Sequence, residues 1–222
     1  MELAFRGRIA MIKDPLRRKF PLSERLVEVI DDKLTNEVLL DEALKMMKSS
    51  EPMSVGSWID LMSGETWNVL KIGYQLKQVR ERLAKGLVDK GILRTEKRNF
   101  LLFDMATHPV SDSSAKDEIV KRVIKTLTHL NNSTASSEKE IPFSYLRTIS
   151  MVCAAYAANV LENALLQLNY ETRERAYTKV DELLSEYSVW PFSKKVKVDI
   201  PEGKELQIEV VAAVLNVFTK MD

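Results

Sequence analysis

Leu76, Val79, Leu83 and Leu87 recur at intervals of three, four and four residues, the spacing of one face of an α-helix. The same period runs through most of the chain. It appears in "NEVLLDEALKMMKSS", apolar at 38, 39, 40, 43, 44, 46 and 47, and in "SSAKDEIVKRVIKTLTHL", apolar at 119, 120, 123, 124, 127 and 130. "ETRERAYTKVDELLSEY" repeats it as a surface helix. "PFSYLRTISMVCAAYAANVLENALL" is apolar on most sides, which predicts a central buried helix around 143–168. Only seven Gly and seven Pro in 222 residues interrupt these runs. The expected fold is therefore all-α: a single mostly helical domain over 1–222, with about eight helices packed around a central buried one.

Local signals refine this outline. Residues 1–13 read as a helix end stopped at Gly7 and running into a short strand. Asn36 is placed to cap the helix over 38–47, and its Met46–Met47 pair reads as core filler. "SVGSWIDLMSG" is a helix ending at Gly64, and Gly91 is the glycine that closes the helix ending in "LVDK". Beyond it, "GILRTEKRNFLLFD" alternates into two short β-like runs around "TEKRN", which predicts one protruding β-hairpin near 92–104. "DPLRRKF" reads as a solvated basic loop. "NNSTASSEKE" marks a mobile internal linker at 131–141, and the apolar end "IEVVAAVLNVFTKM" should pack inside.

Catalytic chemistry has no visible home. Two histidines are present, His108 before a proline in a loop and His129 at a helix end, and neither has a partner motif. The HExxH, CxxC, GxGxxG, GxSxG and P-loop patterns do not occur. The acids of "LLDEAL" and "VDELL" fall on polar helix faces, where no acid–base pair is marked out. The lone cysteine, Cys153, sits in "SMVCAAYAANVL" as a small buried thiol and fits a reducing compartment. No run approaches the ~18 apolar residues of a membrane span. The expectation is a protein that is cytosolic, or sits on the cytosolic face of a larger structure, that is not an enzyme and uses no cofactor or metal.

What the chain does have is an uneven charge. Between Lys71 and Arg98 nine Lys or Arg face three acids, although the whole chain carries only +1. Two functional readings use this segment. In one, the helix over 75–90 and the hairpin over 92–104 form a winged-helix-like module for nucleic acid. Arg82, Lys85 or Lys90 would then face phosphates and "TEKRN" would be the wing tip. Near-neutral overall charge weighs against that reading. In the other, the partner is an anionic membrane. Lys77 and Arg80, at i and i+3, would project from one side of the helix toward a phosphorylated headgroup, and "NFLLF" at 99–103 would enter the lipid. Periodicity alone favours a simpler picture: Lys77 and Arg80 on a solvated face, Val79 and Leu83 on the buried face, and Phe100 to Phe103 packed inward or on a partner.

Five strings tip the balance: "VLLDEALK", "SWIDLMSGETWN", "LKIGYQLKQVRERLAKGLVDKGIL", "TEKRNFLLFDMATHP" and "NVLENAL". In this order, over most of the chain, the sequence resembles the Golgi phosphoprotein 3 family, most weakly at 131–141 and 188–208. The resemblance implies a mostly helical domain on the cytosolic face of the Golgi that binds phosphatidylinositol-4-phosphate. It further implies an adaptor that holds the cytosolic tails of glycosyltransferases and links them to coatomer, in association with a phosphoinositide phosphatase. By position, two of the family's headgroup ligands fall on Lys77 and Arg80. The family's other two, a Trp and an Arg, lie upstream of the segment matched here by "MELAFRGR", as does its coatomer-binding arginine cluster. Met1 is accordingly expected to be an internal residue of a longer protein. The family's hairpin, an element of self-association and membrane contact, maps to Glu96, Lys97, Arg98, Asn99, Phe100, Leu101, Leu102, Phe103, Asp104, Met105, Ala106 and Thr107. A homo-oligomer through this hairpin, and no nucleic-acid partner, follow from the same resemblance.

Overall fold

The computed structural model describes residues 1–65, 68–100, 103–128, 141–193, 196 and 198–220. Helix α1 (Glu2–Phe5) leads into β1 (Ile9–Met11) and, after two 3₁₀ turns at Pro15–Lys19 and Leu22–Glu24, into β2 (Leu26–Val29). Then come α2 (Val38–Lys48), β3 (Met53–Ser54), α3 (Val55–Ser63), a 3₁₀ turn at Val69–Tyr74 and α4 (Val79–Asp89). Strands β4 (Glu96–Phe100) and β5 (Phe103–Thr107) precede the second, fully helical half. That half comprises α5 (Ser113–Thr128), α6 (Ser144–Ala157), α7 (Glu162–Leu165), α8 (Tyr170–Tyr187) and α9 (Glu205–Phe218). The fold is mainly helical, as the periodicity predicts.

The central helix is α9. "ELQIEVVAAVLNVF" offers no polar face to turn toward water, so the helix is buried on all sides from Gln207 to Ala213 and again at Leu215. It packs against α1, β1, α3, α6 and α8. The predicted centre at 143–168 is instead two helices. Asn159 adopts the left-handed conformation (φ 54°), one of the few places a side-chain-bearing residue does so, and breaks the run. Only Leu146, Ile149, Ser150, Val152 and Cys153 of α6 are buried. Alanines inflate the apolar count of this segment without demanding burial, and Ala158 is exposed.

A three-stranded antiparallel sheet of order β1-β2-β3, with Ile9 opposite Val29 and Leu26 opposite Ser54, underlies α9. Its second and third strands escape the sequence reading because four and two residues are too short to show a period of two. The loop before β2 also differs from expectation. Arg17 is not solvated: its guanidinium turns inward to Glu209 at 2.9 Å, and Arg25 joins from the other side at 2.7 Å. Glu209 is fully buried in α9. A buried carboxylate is tolerable only when paired and hydrogen-bonded, and two arginines satisfy both of its oxygens.

At the entry to α2, Asn36 is not the cap. It takes the left-handed conformation (φ 63°), while Glu37 occupies the capping position without a side-chain hydrogen bond. The neighbouring Thr35 donates its backbone N–H and its hydroxyl to Asp41, each at 2.7 Å. The hairpin pairs Glu96 with Thr107 through Phe100 with Phe103, so "EKRN" lies within β4 and not at the reversal. Leu101, Leu102, His129, Leu130 and residues 131–140 of the expected 131–141 linker lie outside the described residues.

Candidate functional site

The basic segment is held to the body by its own backbone and by one aromatic pair. Asn68 accepts the Leu70 N–H through its side chain at 3.0 Å and the Lys71 N–H through its carbonyl at 2.8 Å, which starts the 3₁₀ turn. Tyr74 ends that turn against Trp58 of α3, ring centres 6.0 Å apart and edge to face, and its hydroxyl meets Ser50 at 3.2 Å. The Leu76 N–H then donates to the Met62 carbonyl at 3.1 Å. Gly64 makes this return possible. It closes α3 in the left-handed conformation (φ 86°), and a Cβ there would lie 2.3 Å from the Gln75 amide.

Lys77 does not stand on the helix. Gln78 adopts the left-handed conformation (φ 52°) and α4 starts at Val79, so the expected i,i+3 pairing of Lys77 and Arg80 on one helical side is replaced by a turn that brings Lys77 up to the helix start. Both side chains remain exposed, and among the described residues neither has a hydrogen-bond or ion-pair partner. Three other cations of the segment are engaged. Arg82 binds Glu42 of α2 at 2.5 Å and donates to the Lys77 carbonyl at 3.2 Å. Lys90 reaches Glu37 at 3.6 Å, and Arg94 holds Glu96 at 2.7 Å. The first turn of α4 also has no side-chain cap, so the positive end of the helix dipole is left beside Lys77 and Arg80. Two exposed cations at an uncapped helix N-terminus suit a phosphate monoester.

The apolar stripe of α4 is not buried, contrary to expectation. Val79 is 36% exposed, Leu83 55% and Leu87 37%, and no residue of the helix is buried. This removes the framework a winged helix needs, a core-packed helix followed by a wing turning at "TEKRN". Behind the segment, between α2, α3 and α9, lies an apolar cavity of about 230 Å³ to which Leu76 and Trp58 contribute walls. Glu2 is its one charged lining side chain, so it offers nothing to hold a phosphate. Periodicity gives no sign of such a cavity, because all its walls look like core.

The hairpin carries the other candidate residues. Among them Lys97, Arg98, Asn99 and Ala106 are exposed and Glu96 and Thr107 half-buried; Leu101 and Leu102 are not described. The two strands pack principally on each other and do not join the three-stranded sheet. His108 is half-buried beside the hairpin. Burial pushes the Cys153 thiol up to about 12, which removes it as a nucleophile at neutral pH. Among the described residues no cluster of His, Cys, Asp and Glu could hold a metal, and no helix is long and apolar enough to cross a membrane.

The chain is 60% identical to vacuolar protein sorting-associated protein 74 of Schizosaccharomyces pombe, with all of this chain and 71% of that protein covered. It is 49% identical to the protein of the same name from Eremothecium gossypii, covering all of this chain and 73% of that one. The family model described as Golgi phosphoprotein 3 (GPP34) matches residues 1–200, a span that contains α4, the hairpin and the segment between α3 and α4. With that match and those two relatives, the chain belongs to the Golgi phosphoprotein 3 family, whose role is non-catalytic and lies in Golgi trafficking.

Proposed function

We propose that the protein is a peripheral adaptor on the cytoplasmic face of the Golgi membrane that recognises phosphatidylinositol-4-phosphate through Lys77 and Arg80. One observation carries the reading: these two cations are exposed and uncommitted at the open end of α4, while Arg82 and Lys90 on the same helical segment are engaged by α2. A dianionic phosphate monoester is the ligand such an arrangement fits. Membership of a Golgi trafficking family supports the rest of the reading: retention of glycosyltransferases by their cytosolic tails, linkage of those tails to coatomer, association with a phosphoinositide phosphatase, and self-association through the hairpin.

Flotation with phosphatidylcholine vesicles tests the lipid step. Vesicles containing phosphatidylinositol-4-phosphate should carry the protein upward more than vesicles of equal charge made with phosphatidylserine. Lys77→Ala with Arg80→Ala should abolish that difference. Equal flotation by both vesicle types with the unaltered protein would overturn the reading.

A further inference from the structure

The 3₁₀ turn that precedes the two cations is the most exposed apolar feature of the described chain. Leu70 is 90% exposed, Val69 76% and Ile72 47%, and the turn has no buried residue. An exposed pair of this kind at a loop tip is ordinary when the loop is loose. Here the turn is closed internally by the Asn68 cap and fixed to the body on its C-terminal side, where Tyr74 is clamped between Trp58 and Ser50 and Leu76 is tied back to Met62. A tip that presents two large apolar side chains to water while its base is fixed has the form of an insertion element.

The charges around the tip select the partner. Lys71, next to Leu70, is exposed and unpaired among the described residues, and Lys77 and Arg80 follow on the same segment. Seven residues separate Leu70 from Lys77 in sequence, so the tip and the first of these cations lie within about 25 Å even at full extension. Between Lys71 and Arg80 there is no acid. Uncompensated cations flanking an exposed apolar tip complement an anionic bilayer, whose phosphates meet the cations while its acyl region takes the leucine. A protein partner would have to cover Leu70 with an apolar pocket and also supply acids to the cations.

We infer that the Val69–Leu70 tip is a membrane-inserting wedge that enters the acyl region of an anionic bilayer beside the headgroup contact of Lys77 and Arg80. The inference rests on the lipid-binding reading above and adds a second contact to it. Transfer of a leucine side chain from water to an apolar phase corresponds to roughly ten- to a hundredfold in partitioning.

The lone cysteine makes a direct test simple. Cys153 is fully buried, so a cysteine placed at the tip is the reactive thiol of the folded chain. Leu70→Cys and, as a control on α5, Lys116→Cys would each carry an environment-sensitive fluorophore. Vesicles would be phosphatidylcholine with phosphatidylserine, with and without phosphatidylinositol-4-phosphate. Expected is a blue shift and brightening at position 70 on both anionic vesicles and none at position 116. Leu70→Glu should lower partitioning at least tenfold while keeping the preference for the phosphoinositide. Lys77→Ala with Arg80→Ala should remove that preference, yet residual bound protein should still show the shift. An unshifted probe at position 70 on vesicles that bind the chain overturns the wedge and leaves the headgroup reading intact. A shift with no phosphoinositide preference in the unaltered chain does the reverse. No binding to either vesicle, or a shift that depends on protein concentration without lipid, overturns the wedge, the latter in favour of a second copy of the chain.

Discussion

Lys77, Arg80 and Arg82 are three cations within six residues, and their surroundings give them different work. Each charge-assisted hydrogen bond to a phosphate contributes about 1.5–3 kcal/mol, so removing Lys77 and Arg80 together should weaken phosphoinositide binding about a hundredfold or more. Thermal stability should not move, since neither side chain has an intramolecular partner among the described residues. Helical spacing would make Arg82 a neutral comparison, pointing about 200° away from Arg80. The structure disqualifies it: Arg82 ties Glu42 and the Lys77 carbonyl, so Arg82→Ala loosens the site it was meant to leave alone. Lys85, exposed and without a side-chain partner among the described residues, is the proper control on the same helix, and Lys85→Ala should leave the selectivity unchanged. If Lys85→Ala costs as much as the double substitution, the segment is a general basic surface. Cys153 supports a separate expectation. With its thiol fully buried and its pKa pushed up to about 12, it should resist a thiol reagent at pH 8 in the native protein and react fully in denaturant. Native-state labelling at the rate of a free thiol would show that α6 opens readily.

Amphipathic helices were readable from the sequence because a period of 3.6 is a local property. In α8 the buried set Ala176, Val180, Leu183, Leu184 and Tyr187 is the one its pattern predicts. What covers a stripe is not local, and so α4 reads like α8 although its stripe lies open. The same limit hid Glu209, a single acid in an apolar helix whose two partners lie more than 180 positions earlier in the chain. That triad fixes the turns before β2 onto α9, and truncating it should be severe. Glu209→Ala leaves two guanidinium groups facing a dry helix and should cost about 3–5 kcal/mol, read from the urea midpoint. Arg18→Ala, one residue from Arg17 but exposed, should stay within about 0.5 kcal/mol. A mild effect of Glu209→Ala would mean that water reaches the pair. At the start of α2, the Thr35 backbone N–H and hydroxyl hold the Asp41 carboxyl below its ordinary value of 3.8. A lowered folded pKa stabilises above the unfolded value and is lost as pH falls through the folded one. Entry to α2 should therefore loosen only in acid below the usual carboxylate range. Thr35→Val should move the Asp41 titration upward in a carboxylate-detected NMR experiment, and an unmoved titration would show that the hydroxyl contributes nothing.

A two-stranded hairpin is marginal on its own, and stability usually comes from a third strand or from packing against a helix. Among the described residues, strands β4 and β5 have neither a third strand in their sheet nor an extensive contact with the helical body. Both hairpin edges are thus available for pairing, which natural proteins ordinarily guard against. The neighbouring α4 adds an uncovered apolar stripe at Val79, Leu83 and Leu87, joined to the hairpin through a short connection in which Leu93 bridges to Val110. Two unpartnered surfaces side by side, on a segment with few ties to the core, point to burial between copies of the chain. The sequence reading placed self-association in residues 96–107 alone; the open stripe extends the expected interface onto α4. Deleting 96–107 should shift sedimentation toward the monomer while far-ultraviolet circular dichroism keeps its helical shape, because among the described residues the core around α9 includes none from the hairpin. Leu83→Asp, which leaves the hairpin intact, should produce the same shift if helix and hairpin share one interface. An oligomer that survives both changes would place self-association elsewhere on the molecule. Loss of the oligomer with the deletion but not with Leu83→Asp would confine it to the strands, leaving the α4 stripe for another partner.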